Sequence, residues 1–404
     1  MNILFLTMSR FTNVEVHGIY TDLMRKFRNE GHEVYIVTPL ERRFHENTNL
    51  KESKGVHILG VKMFNVQKTN VIEKGLGQIS IEWLFKKALK KYLKNVSFDL
   101  VLYSTPPITF SKVITYVKQL NPQVHTYLLL KDIFPQNAVD LGMVSKGGIK
   151  GLLYHLFRRK EKLLYKISDF IGCMSPANVD YVIQHNSEID PHKVEVAPNS
   201  IEITDDGMLL MDDKIKIRKR YGLPLDKPIF IYGGNLGKPQ GVSHLIKCLD
   251  ANKRRTDCHF VVIGSGTELP KLFEWHNANQ NTCVSVMKGI PKADYDALTA
   301  SCDVGLIFLD YRFTIPNYPS RLLTYLQEKK PIIACTDPNC DTGSIAEANG
   351  YGYYCPSNDV NAFTEILDKM LASDMMTMGN RGYEYLCQNY LVEHTYHAIM
   401  KHFE

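Results

Sequence analysis

Apolar residues in this chain come in short, nearly unbroken runs separated by longer stretches in which they recur every three or four positions. The runs fall at residues 3–7, 33–38, 56–60, 100–104, 126–130, 170–174 and 194–197, and again at 229–232, 260–263, 284–287, 304–308 and 332–334. Apolar side chains on successive positions mark a strand buried on both faces, as in a parallel sheet. The stretches between the runs are long enough for a helical crossover, so the pattern predicts βαβ units. Two such series predict two doubly wound α/β domains, at 1–200 and 201–380. The irregular, Asp-containing stretch 198–214 is the expected hinge. Residues 381–404, rich in Tyr and His, predict one or two closing helices that pack back on the first domain.

Two helical patterns in the first half carry a second signal. Over residues 81–96, Ile81, Leu84, Phe85, Ala88, Leu89, Tyr92, Leu93 and Val96 share a face, while Lys86, Lys87, Lys90, Lys91 and Lys94 lie opposite. Over 149–167, Ile149, Leu152, Leu153, Leu156, Phe157, Leu163, Leu164 and Ile167 keep the same period, against Lys150, Arg158, Arg159, Lys162 and Lys166. Such helices either bury one face in a core and solvate the other, or dock on anionic phospholipid. The charge is lopsided: residues 1–200 carry 27 Lys and Arg against 18 Asp and Glu, whereas the remainder carries 21 against 25. A basic half points to an anionic partner. Nucleic acid is not expected, because no zinc finger, helix-turn-helix or basic–aromatic strand pattern accompanies the charge. No apolar run approaches the roughly 18 residues of a membrane span. The opening "MNILFLTMS" reads as a buried strand and not as a signal peptide. The nine cysteines are scattered without a CxxC pair, which fits free thiols in a reducing cytoplasm and no metal site.

Ligands of open α/β sheets bind beyond the carboxyl ends of the strands, and candidate chemistry gathers there. "IFIYGGNLGKPQG" (229–241) is a strand that stops in glycines, with Lys238 as its one cation. It is either a phosphate-binding turn, with Gly234 and Asn235 near the ligand, or a tight strand–helix turn. Gly18 stands before a helix, either against a phosphate or as a plain helix-start glycine. Gly264 and Gly266 follow another strand. In "IPNYPSRLLTYL", Pro319 suits a helix start, so the amides of Ser320 and Arg321 would form a second anion site. Asp132, after the run in "LLLKDIFP", is either a base or acceptor-orienting carboxylate, or a structural strand-end Asp.

Several segments together resemble the family 4 glycosyltransferases of the GT-B fold. "NEGHEVYIVTP" resembles their first helix and second strand, and "VEVAPNSIE" their crossing into the second domain, with Ser200 and Glu202 for the usual Gly and Asp. "FVVIGSG" and "GSIAEANGYGYYCPSND" resemble two further motifs. "LLLKDIFPQNAVDLG" and "GNLGKPQG" resemble the bacterial branch that builds capsule and O-antigen units on a lipid carrier, N-acetylfucosamine transferases among them. Two motifs depart from the family. Its phosphate loop places Arg and Lys where Asn235 and Gln240 stand here, and its paired glutamates fall on Pro316 and Thr324.

The resemblance implies two Rossmann-like domains facing across a cleft and transfer with retention of anomeric configuration. The donor is a nucleotide sugar, UDP-linked, of the N-acetylated or deoxy amino type. The acceptor is a lipid-linked saccharide. Lys238 and Asp132 are the implied catalytic residues. Gly18, Gly234, Asn235, Gly266, Asn317, Ser320, Arg321 and Thr324 are the implied donor contacts, Asn317 or Arg321 compensating for the absent glutamates. No metal and no cofactor is implied, since cations and helix dipoles serve the leaving diphosphate. The expected location is cytoplasmic, peripheral on the inner face of the cell membrane. A GT-B sugar-nucleotide epimerase and a catalytically silent GT-B partner subunit are the alternatives.

Overall fold

The computed structural model describes residues 1–66, 69, 71–203, 211–280 and 282–403. The chain forms two compact units, Met1–Glu202 with Leu391–Glu404, and Ile203–Tyr390. The expected hinge at 198–214 lies partly outside the described residues. Its end, Met211–Arg220, is a helix.

The first unit is an eight-stranded sheet of β1 (Asn2–Leu6), β2 (Glu33–Glu41), β3 (Asn49–Ser53), β4 (Val56–Met63), β5 (Leu100–Ser104), β6 (His125–Leu130), β7 (Phe170–Cys173) and β8 (Val194–Val196), ordered β3-β4-β2-β1-β5-β6-β7-β8. All neighbours are parallel except β3 on β4. β5 is buried along its whole length, as continuous apolar runs require when helices cover both faces. The helices include α1 (Ile19–Asn29), α2 (Val71–Tyr92) and α3 (Ser111–Leu120). α2 starts ten residues earlier than its pattern predicted. Gly75 and Gly77 hide the first turns because glycine disfavours helix, yet the chain needs a small residue there: a Cβ on Gly77 would lie 2.7 Å from Val66.

The predicted closing segment 381–404 is divided between the units. Met375–Asn389 is a helix of the second unit, whereas the helix Val392–Met400 belongs to the first. Val392, Tyr396, Ile399 and Met400 pack with Phe27 and Ile3 in the core of the first unit. The Val392 amide donates to Ile201 O at 3.0 Å, and Thr395 Oγ1 to Pro198 O at 3.0 Å. Burying each such apolar side chain contributes roughly 1.5–3 kcal/mol.

The second unit is a six-stranded, wholly parallel sheet of β9 (Ile229–Asn235), β10 (His259–Ser265), β11 (Val284–Lys288), β12 (Val304–Phe308), β13 (Ile332–Thr336) and β14 (Gly352–Pro356), ordered β11-β10-β9-β12-β13-β14. The strand order reverses between β9 and β12. Crevices for ligands open at such points, beyond the carboxyl ends of the strands.

Candidate active site

The glycine-rich turn of the second unit leaves β9 at this reversal. Gly234 adopts φ +115°, a conformation that side chains resist. Its neighbour Gly233 serves packing instead: its amide donates to the Tyr325 hydroxyl at 3.2 Å, and a Cβ there would collide with the Tyr295 ring. Asn235 and Gln240, at the two positions where the family keeps cations, are bonded to each other, Asn235 Nδ2 to Gln240 Oε1 at 2.9 Å. The Tyr232 hydroxyl donates to Asn235 O at 2.8 Å and closes the turn. Lys238 opens a short 3-10 turn with an exposed side chain. Gly266 has a structural reason to be glycine, since a Cβ would lie 2.3 Å from Leu236 O. It lets the loop after β10 rest on the turn after β9.

The second predicted anion site takes a different form. The helix begins at Arg321, two residues beyond Pro319, and spans only Arg321–Gln327, with Ser320 exposed at its N-cap. So short a helix contributes a weak dipole. The side chain of Arg321 brings the charge instead. Its guanidinium lies over the Tyr232 ring, 4.3 Å from the centroid, and reaches the turn, where a Cβ on Gly234 would be 3.8 Å from Nη2. Nη1 is buried with no hydrogen-bond partner among the described residues. A buried guanidinium nitrogen without an acceptor is costly, and one beside a glycine-rich turn is suited to a phosphate oxygen. Asn317 and Thr324 are half-buried near it in sequence. Asn317 O accepts from Cys340 Sγ at 3.0 Å, which joins the loop after β12 to that after β13.

That latter loop holds a group the pattern reading passed over. Asp337, fully buried, accepts from the amides of Asn339 and Cys340 at 2.9 and 3.1 Å through Oδ1. Its Oδ2 has no partner among the described residues. Burial pushes its carboxyl up to about 7, against those two amide bonds. The signal was available: Asp337 follows an apolar strand just as Asp132 does.

In the first unit, Asp132 lies two residues past β6. Both its oxygens accept from Asn137 Nδ2 at 2.8 Å, and burial pushes its carboxyl up to about 6. Neighbouring Lys131 donates to Ala197 O at 3.0 Å, and burial lowers its ammonium to about 7. Adjacent side chains with displaced proton affinities are what acid–base chemistry uses. Gly18 is placed at the N-cap of α1 as predicted, but its amide is not open to a phosphate: it donates to Asp22 Oδ1 at 3.0 Å. His17, Asp22 and Glu202 form the one cluster of metal-ligand type among the described residues. Arg25 fills it, bonding Asp22 at 2.6 Å and Glu202 at 2.9 Å. The nine cysteines are all unpaired thiols.

Two units, each built on a mainly parallel sheet with candidate polar groups beyond the carboxyl ends of its strands, have the architecture of the GT-B glycosyltransferases. The profile described as Glycosyltransferase Family 4 matches residues 19–205, and that described as Glycosyl transferases group 1 matches residues 213–385. This chain belongs to the family 4 glycosyltransferases of the GT-B fold. It is 24% identical over 325 residues to a probable glycosyltransferase, WbjE, of Pseudomonas aeruginosa, covering 80% of this chain and 78% of that protein. Its fold is shared with WaaG, a glycosyltransferase involved in lipopolysaccharide biosynthesis, at TM-score 0.66 and 15% identity, covering 99% of each chain. It is shared too with HepE of Anabaena, solved in complex with UDP and glucose, at TM-score 0.69 and 15% identity, covering 100% of this chain and 99% of that one.

Proposed function

We propose that this chain is a retaining, metal-independent transferase. It moves a sugar, of the N-acetylated or deoxy amino type, from a UDP-linked donor to a lipid-linked saccharide. The setting is the inner face of the cell membrane, in the building of a capsule or O-antigen. The second unit takes the donor and the first the acceptor. The observation that carries this reading is a guanidinium nitrogen of Arg321 beside the Gly234 turn that has no hydrogen-bond partner among the described residues. A diphosphate oxygen supplies the acceptor it lacks. The HepE complex with UDP supports a uridine nucleotide, and WaaG supports a role in surface polysaccharide.

In the transfer, the bond from the anomeric carbon to the donor phosphate oxygen breaks. The acceptor hydroxyl oxygen bonds that carbon on the same face, and its proton passes to the leaving phosphate. Arg321 meets the charge that develops on the diphosphate, which is where fixed cations lower a barrier most. Lys238, exposed in the same turn, adds a second cation, and Thr324 offers its hydroxyl to the ribose. Asp132 orients the acceptor hydroxyl. The test is a thermal-shift panel of UDP-, GDP- and dTDP-sugars followed by a transfer assay on the stabilising donor. A shift with UDP-sugars and transfer in EDTA are expected. No shift with any nucleotide sugar would place the chain among silent GT-B proteins.

A further inference from the structure

The helix Gly148–Ile167 and α2, both of the first unit, leave large apolar side chains in water. On the former, Leu152 is 76% exposed, and Leu153, Leu156 and Leu163 are exposed as well. Leu152, Leu156 and Leu163 form one stripe at helical spacing, and exposed Arg159, Lys162 and Lys166 interleave with it. On α2, Ile79 and Trp83 are 80% and 63% exposed, one turn apart. The ammonium of Lys87 stands 4.9 Å above the Trp83 ring.

The two helices are tied together. Lys160 reaches Glu82 at 3.9 Å. Trp83 follows Glu82, while Leu156 and Leu163 lie one turn either side of Lys160. Two of the three acids of these helices are buried, and the third, Glu73, is half-buried. Glu82 is buried and accepts from Ser111 Oγ and the Lys112 amide, both at 3.0 Å. Glu161 is buried against Arg158 and Tyr165. Among the described residues, neither helix exposes an acid. Single exposed leucines are ordinary on a protein surface. A stripe of them with an exposed Trp and a predominance of cations along both helices, Lys162 among them paired with the exposed Glu188 at 2.9 Å, is the composition of an interfacial surface. No helix among the described residues is long and apolar enough to cross a membrane.

We propose that this surface seats on an anionic bilayer with Trp83 and the stripe Leu152, Leu156 and Leu163 inserted among the acyl chains and the lysines at the headgroups. The proposal builds on the membrane setting given above and names the side chains that enter the lipid. It differs from attraction by lysines alone, which salt would abolish.

The chain has two tryptophans, so Trp275→Phe leaves Trp83 as sole reporter. Vesicles of roughly equal phosphatidylglycerol and phosphatidylcholine should shift its emission to the blue, and acyl-brominated lipid should quench it. The triple change Leu152→Gln, Leu156→Gln, Leu163→Gln should lower vesicle partitioning at least about tenfold with the fold intact, because these side chains are already in water in the free protein. Replacing Lys87, Lys90 and Lys91 with Gln should remove the preference for anionic over neutral vesicles. An emission of Trp83 unmoved by saturating vesicles overturns the proposal. So does partitioning of the leucine triple variant equal to that of the parent. So does a measured mass showing that the leucine changes dissolve a dimer, since the stripe would then be a contact between copies. The thermal shift with UDP-sugars, measured without lipid, keeps the two readings apart. If it persists while vesicle binding fails, only the docking surface is lost.

Discussion

Arg321→Met separates catalysis from stability more sharply than any other change here. The folded protein holds a buried guanidinium nitrogen with no acceptor among the described residues, an arrangement that costs roughly 1–3 kcal/mol. Against this stands the stacking of the cation over Tyr232 at 4.3 Å, which contributes roughly 0.5–2 kcal/mol. Methionine fills similar apolar volume and removes both effects, so they nearly cancel. The melting temperature should stay within about 4 °C of the parent. Transfer should behave otherwise. Loss of a preorganised charge facing the leaving diphosphate costs roughly 2–4 kcal/mol of barrier, a fall of about 30- to 1000-fold in rate. The assay is release of the nucleoside diphosphate at saturating donor and acceptor, beside a thermal melt. Arg321→Lys should recover part of the rate, since an ammonium keeps the charge but not the planar fork. A folded Arg321→Met protein with kcat within about threefold of the parent would refute the assignment.

Lys238→Ala removes an exposed cation from the same turn and should raise the donor KM more than it lowers kcat, with the gap narrowing in high salt as screening grows; steady-state kinetics at two ionic strengths decide it. Turnover should be indifferent to EDTA, and activity that vanishes with chelation and returns only with a divalent metal would defeat the metal-independent reading. Asp132 titrates at about 6 in the fold, above its unfolded value, so the protonated form stabilises the protein below about pH 4 and that contribution is lost as pH rises through about 6, at a cost of roughly 2–3 kcal/mol. Asp132→Asn should therefore melt higher than the parent at pH 7.5 and show no such gain at pH 4, while transfer falls if the carboxylate orients the acceptor; equal differences at both pH values would show the ionisation to be irrelevant.

The strands were legible because burial on both faces writes itself as an unbroken apolar run. β3 escaped notice for the converse reason: its sequence NLKES is a half-exposed edge paired only with β4, with no apolar face to read. The start of α2 escaped because propensity is a weak local preference and packing around Gly77 overrode it. At the site, the glycine-rich turn and the strand-end Asp132 followed from the pattern. The sequence could not tell that Asn235 and Gln240 satisfy each other, that Asp22 occupies the Gly18 amide, or that Arg321 is aimed back at the turn after β9. Arg321 and Gly234 are far apart in the chain and meet only because β12 inserts beside β9. Nor could periodicity decide which apolar face of a basic helix enters the core. Ile81, Phe85 and Leu89 are buried while Leu152, Leu156 and Leu163 are not. The alternation of runs and spacers by itself determined the two α/β units, because a strand covered on both faces needs an unbroken apolar run. Which polar groups lack partners, and which leucines stay in water, was decided by the tertiary structure alone, because both depend on what distant segments bring alongside.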